Sequence, residues 1–187
     1  MSGLARPAPV RLVDLLGVLG SVAAVFTGAA LVLQGVDALP ALITGEPRHV
    51  RRAATVAEVE HRLRARLLVP YYFPSTLLWP PQRIRFVRGP PGAAALWVGA
   101  REGGPHLLVA ETLGPGPIPP PLLPDAQVLH ASPVAVGRAR GTLARVVEDG
   151  AMAWQLTWVQ DGRSILLRSR GTVDELLRIA RSVREEQ

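Results

Sequence analysis

Hydrophobic and polar residues form three kinds of pattern along the chain. The first is an uncharged run, which reads LLGVLGSVAAVFTGAALVLQGV over residues 15–36. The second, apolar residues at helical spacing, follows Thr55 and again follows Thr172. The third is short apolar and polar alternation, broken by Gly, Pro and Asp, in the stretch between them. This order predicts a long apolar helix, a second helix, several strands and a final helix.

The uncharged run predicts a transmembrane helix over residues 15–37. As a helix it covers roughly 33 Å, and a bilayer hydrocarbon core is about 30 Å thick. A cleaved signal peptide is the rival interpretation, because Arg6 and Arg11 precede the run. The run exceeds the apolar region of about 7 to 15 residues in such peptides, and no small-x-small cleavage site follows it. We therefore expect the helix to remain.

Small residues recur at every fourth position of this segment, at Gly20, Ala24 and Gly28. One helix face would then let another backbone approach closely, which predicts a partner membrane helix or self-association. The abundance of glycine and alanine in membrane helices generally is the plainer explanation. Arginines flank the segment on both sides, and the short leading segment, residues 1–14, favours a main domain outside the cytoplasm.

The remaining chain predicts a linker and one globular domain. Residues 38–54 contain Pro40, Gly45 and Pro47, which are typical of a linker. Residues 55–187 are long enough for one ordinary hydrophobic core and too short for two. Strands are predicted at residues 82–88, 94–100, 106–113, 127–136, 143–148, 151–160 and 164–168.

Local signals mark the helices and turns of this domain. Thr55 with Glu58, and Thr172 with Glu175, have the form of capping boxes. Helices are predicted over residues 56–68 and 173–184, tight hairpin turns at residues 149–150 and 161–162, and an exposed proline-rich loop at residues 114–121. Because hairpins dominate and strands do not alternate with helices, the predicted fold class is α+β, an antiparallel sheet flanked by two amphipathic helices.

Composition excludes several kinds of chemistry. The chain has no cysteine and no lysine, which excludes disulfides, thiol nucleophiles, Schiff-base lysines and the Gly-Lys phosphate loop. The four histidines have no metal-ligand spacing, and no serine stands in a Gly-x-Ser-x-Gly elbow. The acid pair Glu148-Asp149 falls in a predicted turn, which is a sufficient structural explanation. We expect no enzymatic activity, no cofactor and no metal site.

The formal net charge of the chain is +6. Because its arginines are spread along the sequence and form no basic run, no nucleic-acid partner is expected. Arg83, Arg85 and Arg88 form the candidate contact for an anionic surface, such as lipid headgroups or an acidic partner. Four more arginines are candidates for neighbouring strands, at positions 138, 140, 168 and 170. A solvated sheet face is the plainer explanation of all of them.

Two stretches carry a resemblance to a known family. They are the Pro-aromatic-Pro stretch at residues 70–74, and the hairpin and helix at residues 158–183. Across residues 55–185 the chain resembles a bacterial envelope domain of unknown function. That domain lies C-terminal to the membrane helix of anti-sigma-factor-like proteins and is related in fold to the periplasmic lipoprotein-carrier superfamily. Ser75 departs from the glycine common there, and no sigma-binding module precedes the predicted anchor. The resemblance implies an envelope module without catalytic residues.

These observations predict a single-pass plasma-membrane protein whose domain lies outside the cytoplasm. Its expected role is a non-enzymatic binding or interaction module of the bacterial cell envelope, with the membrane as a partner. The alternative is an accessory subunit of a larger membrane protein complex. A third hypothesis, an anchored hydrolase, requires a cleft in which a histidine, a carboxylate and a hydroxyl converge.

Overall fold

The computed structural model describes residues 49–101 and 106–185. The strands are β1 (Val50–Ala53), β2 (Leu68–Pro70), β3 (Leu77–Val87), β4 (Ala93–Ala100), β5 (Leu107–Thr112), β6 (Gln127–Val136), β7 (Ala139–Glu148), β8 (Ala151–Gln160), β9 (Arg163–Ser169) and β10 (Val183–Glu185). The helices are α1 (Val56–Leu63) and α2 (Val173–Arg181), and a short 3₁₀ helix covers Pro120–Leu122.

Eight strands form one antiparallel sheet in the order β1-β3-β4-β5-β9-β8-β7-β6. Strands β10 and β2 pair separately as a small two-stranded sheet. The predicted fold class, an α+β domain behind a transmembrane helix, is therefore wrong. The described residues form mostly antiparallel sheet, and their two helices are only 8 and 9 residues long.

No helix in the ranges 49–101 and 106–185 is long and apolar enough to cross a membrane. The helix predicted over residues 15–37, with its small-residue face at Gly20, Ala24 and Gly28, lies outside the described residues. The predicted linker over residues 38–54 overlaps β1, in which Val50–Ala53 pair with residues 84–87 of β3.

Helix α1 ends earlier than predicted because its C-terminus is capped. Arg64 takes a left-handed conformation with φ 55°, and its N–H donates to the Glu60 carbonyl. The Glu60 carboxylate then accepts a hydrogen bond from the Leu67 N–H at 2.8 Å. These contacts turn the chain out of the helix toward β2.

The predicted N-caps and hairpin turns are confirmed. Thr55 Oγ1 accepts a hydrogen bond from the Glu58 N–H at 3.2 Å, and Thr172 Oγ1 accepts one from the Glu175 N–H at 3.3 Å. Both residues of each Asp-Gly turn have positive φ: Asp149 51°, Gly150 75°, Asp161 51° and Gly162 76°. Such pairs match the twist of the flanking strands.

Apolar side chains cover both faces of the large sheet. On one face α1, α2 and the small sheet pack against the strands, and the core there includes Val59, Phe86, Leu96, Leu156 and Ile179. Burial of each such large side chain contributes about 1.5–3 kcal/mol. This face contains the largest hydrophobic cluster of the described residues.

The other face, which we call the loop-covered face, packs against the segment between β5 and β6. Leu122 is fully buried there in a cluster with Ala95, Leu108 and Leu166. The proline-rich segment was predicted to be an exposed loop, but Ile118 packs against this cluster. The segment is therefore partly structural, because the sheet face beneath it is apolar.

Candidate functional site

The predicted surface of Arg83, Arg85 and Arg88 is divided by the structure. Arg83 and Arg85 alternate with buried Ile84 and Phe86 and so project to the loop-covered face. Arg88, which follows β3, instead lines a different cleft near the end of α1. The structure therefore brings two of the three arginines together.

The other candidate arginines lie in separate environments. Arg168 is buried beside Glu148, and Arg170 is exposed after β9. Arg140 lines a cleft formed by β7, β8 and the proline-rich segment, and Arg138 lines another beside α2. They do not form one anionic-binding face with Arg83.

The cleft that contains Arg83, which we call the tryptophan cleft, has a volume of about 620 Å³. Strands distant in sequence meet here, because the β7–β8 turn reaches the β3–β4 part of the sheet. The lining residues are Gln82, Arg83, Trp97, Val98, Gly99, Ala100, His106, Pro124, Glu148 and Asp149.

Two guanidinium groups lie close to the Trp97 indole. The Cζ atom of Arg83 is 5.3 Å from the ring centroid, and that of Arg85 is 5.4 Å from it. These distances are within the range of cation–π attraction. Arg83 is exposed and forms no ion pair or hydrogen bond with any other described residue, so its N–H donors face the cleft solvent.

Strand β3 has a bulge where it lines the cleft. Leu78 pairs with Gly99 and Arg83 pairs with Trp97, so residues 79–82 stand opposite Val98 alone. The Gln82 amide lies across Gly99, where a Cβ atom would overlap it. Bulges of this kind redirect side chains beside functional sites.

A buried polar network holds two lining residues of the cleft, Pro124 and Glu148. Arg168 Nε and Nη2 donate to Gln155 Oε1 at 3.0 and 2.7 Å, and Nη1 donates to the Pro124 carbonyl at 3.0 Å. Arg168 Nη1 also lies 3.5 Å from Glu148 Oε2, and both side chains are almost fully buried. An ion pair this buried needs such extra hydrogen bonds to offset desolvation. The network fixes Glu148 and Pro124 in position.

The cleft presents one guanidinium and one carboxylate that are available to a ligand. Asp149, like Arg83, forms no ion pair or hydrogen bond within the described part of the chain, and its side chain is exposed. Glu148 is already neutralised by Arg168. Arg83 comes from β3 and Asp149 from the β7–β8 turn.

The chemistry of the cleft favours binding. His106 lines it with Glu148 and Asp149, but no serine, threonine or tyrosine is among the described lining residues. In the same described ranges, no group of three or more His, Asp or Glu residues is placed to hold a metal ion. A nucleophilic hydroxyl, which the hydrolase hypothesis requires, is thus not part of this lining.

Sequence reasoning missed Trp97, Gln82 and Asp149 as site residues. Asp149 was interpreted only as a turn residue, since nothing in the sequence near this turn indicates that it lines a cleft with residues of β3 and β4. One local signal was available: the proline pair before Gln82 interrupts an alternating strand and so indicates a bulge.

Comparison of the chain with protein-family models, with curated proteins and with solved structures finds no match. The resemblance carried by residues 70–74 and 158–183 stays a prediction.

Proposed function

We propose that the domain is a non-enzymatic binding module whose ligand occupies the tryptophan cleft and carries both a negative and a positive charge. The observation that supports this is the pair Arg83 and Asp149, which line the same cleft and form no ion pair or hydrogen bond with other described residues. A volume of about 620 Å³ is within the range of small-molecule sites.

The mixed charge of the lining favours a dipolar ligand over a simple ion. A simple anion would be attracted by Arg83 but repelled by the carboxylate of Asp149. A simple cation would be attracted by Asp149 but repelled by Arg83. A free amino acid or a dipeptide carries both a carboxylate, which can bind the Arg83 guanidinium, and an ammonium, which can bind Asp149. Charge-assisted hydrogen bonds at both ends are stronger than neutral ones. The Gln82 amide, which also lines the cleft, offers both a donor and an acceptor.

Three matched probes test this proposal: glycylglycine, its N-acetyl derivative and its C-terminal amide. We expect only the dipolar dipeptide to shift the indole N–H signal of Trp97 in NMR spectra of the full chain, with Trp97→Phe identifying the signal. Arg83→Gln and Asp149→Asn should each weaken binding at least about tenfold, because each removes a charge-assisted hydrogen bond of about 1.5–3 kcal/mol.

The chain offers a matched control for each variant. Asp161→Asn changes the same position of the other Asp-Gly turn, which lies outside the cleft lining. Arg140→Gln removes an exposed arginine of β7, also outside this lining. Equal affinity for all three probes, or an equal loss in the control variants, would contradict the proposal.

The predicted location and partners stay predictions from the sequence. They are a plasma-membrane protein, a domain outside the cytoplasm, and contact with the membrane, with another membrane protein or with a second copy. The accessory-subunit alternative also stays a prediction. The binding role proposed for the tryptophan cleft depends on none of these, because all of its residues belong to the described domain.

A further inference from the structure

A second cleft, which we call the basic cleft, lies between the end of α1 and the loop after β3. Its volume is about 780 Å³. Its basic lining residues are His61, Arg62, Arg64 and Arg88, and no carboxylate is among its described lining residues. Unlike the tryptophan cleft, it presents basic groups alone.

Arg64 occupies a backbone conformation that usually belongs to glycine. Its φ is 55° and its ψ is 38°, at the C-cap of α1. Side chains other than those of Gly and Asn are disfavoured there, so an arginine at this position runs against local preference. Residues other than glycine are uncommon in this conformation, and strained residues cluster at functional sites. The turn it makes brings Arg64 into the same cleft as Arg62.

The chain after Arg64 is fixed by side chains from three elements. The Leu67 N–H donates to Glu60 Oε1 and the Leu68 N–H donates to Glu111 Oε1, both at 2.8 Å. Arg163 Nη1 donates to the Arg66 carbonyl at 2.6 Å. The wall that contains Arg64 is therefore preorganised before any ligand arrives.

Carboxylates of the described residues neutralise only part of the basic cleft. Arg62 forms an ion pair with Glu58 at 2.7 Å, but Arg64 and Arg88 form none with any described residue. The negative end of the α1 dipole explains why His61 and Arg62 occupy its last turn. It does not explain Arg88, which reaches the cleft from the end of β3.

We propose that the basic cleft binds a phosphate group. A phosphate presents several acceptor oxygens, and guanidinium groups bind it through paired N–H donors. Arg64 and Arg88 come from two different elements and line the same cleft, and the inference assigns both of them to one anion. The group belongs either to a free phosphate compound or to a lipid headgroup, and the experiment separates these sources.

Two probes test the inference on the full chain. Pyrophosphate, titrated by calorimetry, represents free phosphate compounds. Vesicles of phosphatidylglycerol mixed with phosphatidylcholine, compared with phosphatidylcholine alone in sedimentation, represent headgroups. We expect at least one probe to bind, with affinity that decreases as salt concentration rises. Binding of pyrophosphate alone assigns a free phosphate ligand, and preference for the anionic vesicles assigns a headgroup.

Arg64→Gly is the most informative variant, because glycine suits the left-handed C-cap and should not lower the unfolding midpoint. It and Arg88→Gln should each weaken binding at least about tenfold. Arg140→Gln and Asp149→Asn, outside the basic cleft, should leave binding unchanged. The inference is overturned if neither probe binds, or if Arg64→Gly and Arg88→Gln bind as Arg140→Gln does. Asp149→Asn changes the tryptophan cleft alone, and Arg64→Gly changes the basic cleft alone. Dipeptide binding and phosphate binding can therefore fail independently, and each failure counts against one proposal only.

Discussion

Glu111 is a carboxyl group buried within strand β5, with 1% of its surface exposed. Its Oε1 accepts the Leu68 N–H at 2.8 Å, and its Oε2 lies 3.6 Å from Arg163 Nη1 without accepting a hydrogen bond within the described residues. Burial raises the pKa of Glu111 from 4.5 to about 7, although the Leu68 hydrogen bond and Arg163 lower it. The nearby Glu60 carboxylate raises it further.

This raised pKa predicts a pH dependence of stability. The folded state holds the Glu111 proton more tightly than the unfolded state, so this stabilisation is complete below pH 4.5 and is lost as pH rises through about 7. The full difference is about 3 kcal/mol at most. Glu111→Gln keeps an acceptor for the Leu68 N–H and removes the charge. We expect the variant to lose less stability than the parent between pH 5 and pH 8 in urea unfolding.

Asp125→Asn is the control for this measurement, since Asp125 is exposed. Its stability should follow that of the parent chain at both pH values. If Glu111→Gln retained the full pH dependence of the parent, the buried carboxyl group would not be its source.

At the level of elements, alanine substitutions at two glycines of the sheet should affect stability and ligand binding differently. The atoms nearest to a Cβ atom on Gly99 would be those of the Gln82 amide, which is the end of a flexible and exposed side chain. A Cβ atom on Gly141 would lie 2.8 Å from the Thr157 carbonyl oxygen, which is backbone and cannot move aside. The same substitution should therefore have different consequences at the two positions.

We predict that Gly99→Ala displaces Gln82 and weakens glycylglycine binding severalfold. Its free energy of unfolding should change by less than about 1 kcal/mol, as is usual for exposed side chains that can rearrange. Gly141→Ala should lower the free energy of unfolding by about 1–3 kcal/mol, since overpacking against backbone forces a shift of strands. It should leave the affinity of the folded protein unchanged. Urea unfolding and the NMR titration of Trp97 measure both quantities, and a Gly99→Ala variant that binds normally would contradict the role given to Gln82.

The same elements show what a single sequence can predict. The Asp-Gly turns and the Thr caps were predictable, because each depends on residues adjacent in the chain. Strand β1 and the β3 bulge were not, because Val50–Ala53 become a strand only by pairing with residues 84–87. Such pairing between distant segments leaves little local signal.

At the scale of the whole molecule, the candidate site depends on strand order. Trp97 and Asp149 line the same cleft although β5, β9 and β8 lie between β4 and β7 in the order of the sheet. Hairpin signals predicted antiparallel neighbours, but they did not place the β8–β9 hairpin beside β5. The alternation of Arg83 and Arg85 was predictable, because it depends on adjacent residues of one strand. Their separation from Arg88 and their contact with Trp97 were not predictable, because both depend on the tertiary fold.

The domain boundary provides a test at this scale. Residues Pro47–Gln187 form one compact unit, and Val50 of β1 is 8% exposed in the cluster on the loop-covered face. We predict that a fragment of residues 47–187 unfolds in a single cooperative transition in urea. A fragment that starts at residue 55, the boundary predicted from sequence, lacks β1 and leaves the edge of β3 unpaired. Loss of the buried valine alone should lower its free energy of unfolding by about 1.5–3 kcal/mol. Equal stability of the two fragments would mean that β1 is not an integral strand, and failure of the longer fragment to fold would mean that the unit needs residues before 47.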